Sequence, residues 1–455
     1  MPPHAPSDVR RGLSASTWEG AFAQVFITLT GGVFLIDFAR HSGADEATLG
    51  VLAAIPFLAQ VIQVVTGAVY ERAGPTRASI TAWTLLLARV AWVVPVALAL
   101  GWGDRDVRLP AYLAVVLVSA LLATAGAHGW TVWMGELVPP RLRGRYFGFR
   151  QAVGAGVALA AAWGGGHLLD GLEARREGTG FAAVYVIAAG AGVLAFLAML
   201  RQHHPTTPAP AVHPPFAVLW REVWVNREHR RMFRFFFVWN MALGVSVPFW
   251  ADYMRRELHM NAWEIGLQST IGGVVGLFLA PAWGRVVDRV GARPVLIANA
   301  AGIAGIPFLW LACGPDRTWP VWIDSFVVGV LWTGFNLTAF NVPLSMARAR
   351  GGAVFLGVFS AVTGLAMGLS SIAAGFVARA LGPGPHRVLG LDLAVHQVMF
   401  LASGLLRVLA VPWALALPDP KDNRVIFLFQ VMGFAVRHRL NLGRQILTAP
   451  WRRRP

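Results

Sequence analysis

The sequence predicts an all-α polytopic membrane protein, with twelve transmembrane helices in two pseudo-symmetric six-helix bundles. Three observations carry this. The chain of 455 residues is 56% hydrophobic and only 14% charged, with a mean hydropathy of +0.56, which is more apolar surface than soluble domains can bury. Windows of about 20 mostly apolar residues, the length that crosses roughly 30 Å of hydrocarbon, recur twelve times along it. A polar segment over residues 201–230, rich in proline, histidine and arginine, divides those windows six and six.

Taken in order, residues 1–16 read as a cytoplasmic N-terminal tail. Spans follow at 17–39, 47–70, 77–101, 109–135, 144–170 and 180–200, making an N-terminal bundle over 17–200. The segment 201–230 is a cytoplasmic linker. Spans at 231–254, 262–288, 293–313, 319–346, 350–379 and 394–417 make a C-terminal bundle over 231–417. The runs are long and continuously apolar, whereas barrel strands alternate apolar and polar over about 10 residues. The first run follows Arg10 and Arg11 but is long and has no small-residue cleavage site, so it reads as a retained helix and not a signal peptide. Residues 418–455 form a basic tail in which Val425, Ile426, Phe427, Leu428 and Phe429 mix with scattered arginines. That composition predicts an amphipathic helix on an anionic inner leaflet.

Placing both termini in the cytoplasm puts most of the basic residues on inner loops and tails and leaves the outer loops with an acidic excess. This is the positive-inside bias of a cytoplasmic (plasma or bacterial inner) membrane protein, and it accounts for the net charge of +16 without nucleic acid. One cysteine, Cys313, excludes a disulfide framework and a thiolate metal cluster. His203, His204, His213 and His229 are too irregularly spaced for a metal site to be preferred over a solvated linker face.

Two loops repeat. GAVYERAGPTR, with Gly67, Glu71, Arg72, Gly74 and Arg77, lies between the second and third spans. GRVVDRVGARP, with Gly284, Asp288, Arg289, Gly291 and Arg293, lies between the eighth and ninth. A second pair follows the fourth and tenth spans: Glu136, Pro139, Arg143 and Gly144, then a degraded copy with Pro343, Arg350 and Gly351. Such internal copies mark a duplicated bundle.

This pattern resembles the major facilitator superfamily, whose signature loop G-x-x-x-D-R-x-G-R-[RK] joins its second and third helices and recurs weakly between the eighth and ninth. The resemblance spans roughly residues 15–417 and implies a secondary transporter that works by alternating access, with no cofactor, driven by an ion gradient, expected to be protons. A monomer, a small-molecule solute and the lipid bilayer are the implied partners. In that family the loop acid lies against the fifth or eleventh helix of the opposite half, so Glu71 is expected to meet the helix starting near Gly351, and Asp288 the one starting near Gly144. A carboxylate there gains about 0.3 to 1 kcal/mol from exposed helical amides. Arg72, Arg77, Arg143, Arg145, Arg289, Arg293 and Arg350 would complete two charge clusters that latch the cytoplasmic gate. The alternative is that these charges only orient loops on the inner leaflet. Glu71 replaces the usual Asp, and Pro75 stands where the first copy often carries a basic residue, so that latch is expected to be looser.

The same resemblance places the first, fourth, seventh and tenth helices around a central cavity. Gln24, Thr28 and Gly31 share one helical face, as do Thr124, His128 and Thr131; the seventh span offers Asn240 with Gly244, and the tenth Trp332, Asn336 and Phe340. Gln24, His128, Asn240 and Asn336 fall at one expected depth, with Trp130, Trp133 and Trp239 near them. The set suits a largely uncharged or amphiphilic organic solute, while the competing reading is interhelical hydrogen bonding and packing. Glu19 and Arg89 are candidates for proton or anion coupling, Arg89 turning toward Gln60 or Gln63; Arg407 is expected to snorkel or to meet buried carbonyls. Drug and metabolite antiporters of the superfamily carry G-P-x-x-G-G on the fifth helix; this chain has Gly154, Gly156 and Gly164 to Gly166 without the proline. The direction expected is proton-linked efflux, with uptake symport of a nutrient, or a non-transporting receptor or scaffold, as alternatives. An enzyme is not expected, because no nucleotide loop, H-E-x-x-H pair, G-x-S-x-G elbow or paired intramembrane aspartates are found.

Overall fold

The computed structural model describes residues 6–73, 76–138, 143–202, 225–346, 352–388 and 390–417. Twelve helices in it are long and apolar enough to cross a membrane: Arg11–His41, Glu46–Thr66, Arg77–Ala99, Asp106–Thr131, Phe149–Glu173 and Thr179–Leu200, then Arg227–Arg256, Ala262–Val290, Ala292–Trp310, Trp319–Pro343, Phe355–Leu381 and Val395–Ala416. They are numbered here as the first to twelfth spans. The amphipathic tail helix and three of the four linker histidines fall outside the described residues; His229 packs its ring 4.7 Å from that of Phe355. The helix of the first span starts at Pro6, ahead of the expected boundary.

Local chemistry sets several boundaries. Asp45 caps the second span by accepting from the Thr48 amide at 2.8 Å. Asn261 and Glu264 form a capping box at the start of the eighth. Gly291 sits at φ 103° where the eighth span turns into the ninth, a conformation that side chains with a Cβ rarely adopt. That explains why the repeated loop motif needs a glycine at this place.

By chain order the loops after the second, fourth, eighth and tenth spans share one end of the bundle, termed the motif end. The loops after the first, fifth, seventh and eleventh share the other, the distal end, where a two-stranded hairpin, His386–Val388 with Leu391–Leu393, precedes the twelfth span. The first and seventh spans, equivalent in the two halves, are both interrupted nearer their distal ends. In the first, the helix stops at Leu29 and restarts at Gly32, with Gly31 extended. In the seventh, it stops at Gly244, passes through a short 3-10 turn at Val247–Phe249 and restarts at Trp250, because Pro248 has no amide hydrogen to continue the ladder.

Each half builds an aromatic core beside its interruption. Phe38, Trp92, Tyr112 and Tyr185 interlock edge to face in the N-terminal half, and Tyr112 and Tyr185 donate to the carbonyls of Leu35 and Phe34 at 3.1 Å. In the C-terminal half Trp250 stacks on Phe400 at 4.1 Å, with Trp310 and Tyr253 closing the box. The halves meet along the second and eleventh spans and along the fifth and eighth. Small residues permit this approach. A Cβ on Gly50 would lie 2.6 Å from the Ser371 carbonyl oxygen and 2.9 Å from the Gly375 Cα, and one on Gly166 would lie 2.8 Å from the Trp263 amide nitrogen.

Candidate functional site

A cavity of about 620 Å³ lies between the two halves. Its walls come from the first, fifth, seventh, eighth, ninth and tenth spans, with single contributions from the eleventh and twelfth. Gln24, Thr28 and Gly31 face it from the first span, and Trp332 from the tenth, so these sequence candidates come together. Asn336 and Phe340 continue the Trp332 face toward the motif end and are exposed.

The other candidates lie elsewhere. Thr124, His128, Thr131 and Asn240 are not among the lining residues. The Asn240 amide donates to the Phe236 carbonyl one turn back at 2.7 Å, and His128 stacks on Tyr70 of the second span with centroids 6.2 Å apart. The Thr131 hydroxyl likewise back-bonds to the Ala127 carbonyl. Trp133 and Trp239 are fully buried core residues. Trp130 already holds a cation, since the Arg150 guanidinium lies 4.5 Å from its ring centroid.

The sequence reading missed the fifth and eighth spans as cavity walls. Gln151 with Gly154, Ala155 and Ala158 enters from the fifth, and Gln268, Ser269 and Thr270 from the eighth. Asp324, read from the sequence as lying near an outer end, and Arg407, read as lying on a peripheral helix, both line the cavity, from the tenth and twelfth spans. Arg407 does meet a buried carbonyl, that of Ile303 at 3.4 Å, and a hydroxyl, Ser246, at 2.8 Å.

Glu19 and Arg89 do pair, away from the cavity. Arg89 Nη2 binds Glu19 Oε1 at 3.1 Å and Arg150 Nη2 binds Oε2 at 2.8 Å. This corrects the expectation that Arg89 turns to Gln60 or Gln63: a buried guanidinium is compensated better by a carboxylate than by a neutral amide. The triad ties the first, third and fifth spans together. Replacing Glu19 with Gln leaves Arg89 buried without a counter-charge, so a loss of about 3 to 5 kcal/mol is expected, read as a lowered melting temperature of the detergent-solubilised protein by tryptophan fluorescence.

The distal end is closed by charge. The first span carries Asp37 and Arg40, and the seventh carries Asp252 and Arg255, the same D-x-x-R spacing in equivalent places. Three residues apart on a helix, acid and base share a face. They pair crosswise: Arg40 Nε to Asp252 Oδ1 at 3.0 Å, and Arg255 Nε to Asp37 Oδ2 at 3.0 Å. Arg255 also reaches Asp170 of the fifth span at 2.8 Å, and Arg379 of the eleventh reaches Asp45 at 3.2 Å. These four pairs join the halves. His396 backs the cluster, its Nε2 2.9 Å from Asp252 Oδ2. Asp45 lies in the loop between spans; partial burial pulls its carboxyl up, but the Thr48 hydrogen bonds and the Arg379 charge hold it below the usual aspartate value.

At the motif end Asp288 and Arg289 are exposed at the close of the eighth span, Gly284 lies one turn earlier, and Arg293 Nη1 donates to the Leu417 carbonyl at 3.3 Å. Arg77 is buried at the start of the third span. Gly67 lies in the helix Gln63–Ala73 and Gly144 in the helix Arg143–Glu173, whereas Gly74, Gly351 and the side chains of Glu71, Arg72, Glu136, Arg143, Arg145 and Arg350 lie outside the described residues, and so does the expected latch between the two loops and the facing helices.

A family model described as Major Facilitator Superfamily matches residues 20–371. The chain belongs to the Major Facilitator Superfamily. Its fold is shared with solved members of that family: a point variant of the nucleoside transporter NupG, 15% identical, aligns over 89% of this chain and 99% of its own with a TM-score of 0.66. A D-xylose-proton symporter, also 15% identical, aligns over 92% and 100% with a TM-score of 0.65. In sequence, an uncharacterized transporter of Bacillus subtilis (strain 168), YwbF, is 26% identical over 121 residues, 27% of this chain and 29% of that protein. The chain is thus a Major Facilitator Superfamily transporter, a multi-pass membrane protein with twelve spans.

Proposed function

We propose that this transporter moves a small organic solute by alternating access, coupled to protons, and exports it from the cytoplasm. The observation that carries the reading is the cavity between the halves, sealed at the distal end by the reciprocal D-x-x-R pairs. With the motif end in the cytoplasm, as the charge bias of the loops favours, this is the state closed to the outside. The three glutamines and the hydroxyls of Thr28, Ser269 and Thr270 offer hydrogen bonds, and Trp250, Trp310 and Trp332 offer flat apolar faces. That lining suits an uncharged or amphiphilic solute with a ring. Export rests on a partial resemblance of the glycine-rich fifth span to that of the antiporters, which lacks their proline, with Gly154 at the cavity wall. Uptake symport is the second reading, favoured by the neighbours named as a nucleoside transporter and a D-xylose-proton symporter.

The test uses the purified full chain in liposomes that enclose a pH-sensitive dye, under an imposed pH gradient, with labelled nucleosides, pentoses and amphiphilic organic amines as probes. Solute-dependent proton movement opposite to the solute is the expected result, and movement in the same direction replaces export by symport. Absence of both solute exchange and proton movement with every probe sinks the transport reading in favour of a scaffold.

A further inference from the structure

We propose that Asp324 is the carboxyl that takes up and releases the coupled proton, with Arg407 as its fixed counter-charge; this rests on the proton-linked reading above. Among the described residues lining the cavity, these two alone carry formal charge. Both are deeply buried, Asp324 4% and Arg407 3% exposed. Asp324 Oδ1 makes no hydrogen bond of normal geometry, the indole of Trp310 being the donor that faces the carboxyl, and Arg407 Nε likewise makes none. A carboxylate held away from water with an oxygen unsatisfied is costly, and such a group is stabilised either by a neighbouring cation or by a proton.

The surroundings let both states exist. Arg407 is held by the C-terminal half itself, through the Ser246 hydroxyl and the Ile303 carbonyl, and Ser246 is braced in turn by Ser403 at 3.1 Å. Its charge therefore acts on Asp324 without being locked to it. The remaining titratable neighbour is Cys313, buried in the loop after the ninth span. The ninth span contributes Trp310 to the wall, the seventh Trp250, and the first, fifth and eighth only amides, hydroxyls and apolar groups. Asp324, Val328 and Trp332 recur at every fourth residue and share one helical face on the cavity. A proton on Asp324 is thus sensed on the same face that would hold the solute. In uptake, a hydronium ion in the cavity transfers its proton to the carboxylate, forming the O–H bond and leaving water; release reverses the step and restores attraction to Arg407.

Glu19, the carboxylate clamped between Arg89 and Arg150 outside the cavity, is the control. Infrared difference spectra of the full chain in lipid nanodiscs, stepped from neutral to acidic pH, are expected to show a protonated-carboxyl C=O band. Asp324→Asn removes that band, Asp324→Glu shifts its frequency, and Glu19→Gln leaves it in place. Persistence of the full band in Asp324→Asn, or an unshifted band in Asp324→Glu, overturns the assignment. The Glu variant keeps the charge, so it carries the test even where the Asn variant does not accumulate. The band reports protonation alone, so it is read independently of any solute: a silent solute screen with this band present defeats the transport reading and not the site.

Discussion

Asp252→Arg is expected to open the distal end. Asp252 is 1% exposed and is shared by Arg40 and His396, so the change deletes the one acid between them and sets three basic groups together. The cost of leaving buried charge uncompensated, about 3 to 5 kcal/mol, corresponds to a roughly 100-fold or larger shift in the balance between states. Spin labels at exposed Arg175 and Asp316, one on each half at the distal end, in a Cys313→Ser background, measure it: the distance distribution moves to longer values. Adding Arg40→Asp should restore the closed population only in part, because the new acid then faces Glu46 and the new arginine still faces His396. An unchanged distribution in the single variant shows that the cluster does not hold the gate.

Gly50→Leu should produce the same opening by a different force. The backbones of the second and eleventh spans touch there, and a Cβ alone would already fall 2.6 Å from the Ser371 carbonyl oxygen, with Gly375 Cα just beyond. Neither neighbour is a side-chain tip that can swing aside, so the spans must separate; overpacking of this kind costs about 1 to 3 kcal/mol or more. The same label pair reads it, and salt distinguishes the two variants. Charge repulsion in Asp252→Arg is screened as ionic strength rises, whereas the Gly50→Leu distance should not respond. Distances at wild-type values in Gly50→Leu would show that the contact yields locally.

Much of the architecture was legible because span length is a one-dimensional property, and the repeated loops fixed which spans correspond. The D-x-x-R pair stands in the sequence, as Asp37 with Arg40 and Asp252 with Arg255, but it went unread because its meaning needs the two-fold relation that crosses the pairs. The cavity was less so. Periodicity says that Thr124, His128 and Thr131 share a face, but not which neighbour that face meets, and here His128 meets Tyr70. The fifth span looked like packing because Gly154, Ala155 and Ala158 carry no chemistry of their own, yet small residues are what leave the space. Asp324 and Arg407 sit on different helices far apart in sequence, so only the folded chain brings their charges to one wall.

The interruptions at Gly31 and Pro248 separate the charged tips from the rods below them. Gly32–His41 is ten residues long and Trp250–Arg256 seven, and each bears one acid and one arginine of the crossed set. Two short arms on built-in elbows can part by pivoting at residues that no longer complete a helical ladder. The crossed pairs can therefore be released by a wrist movement at two points, leaving the Arg379–Asp45 pair and the rods beneath to part separately.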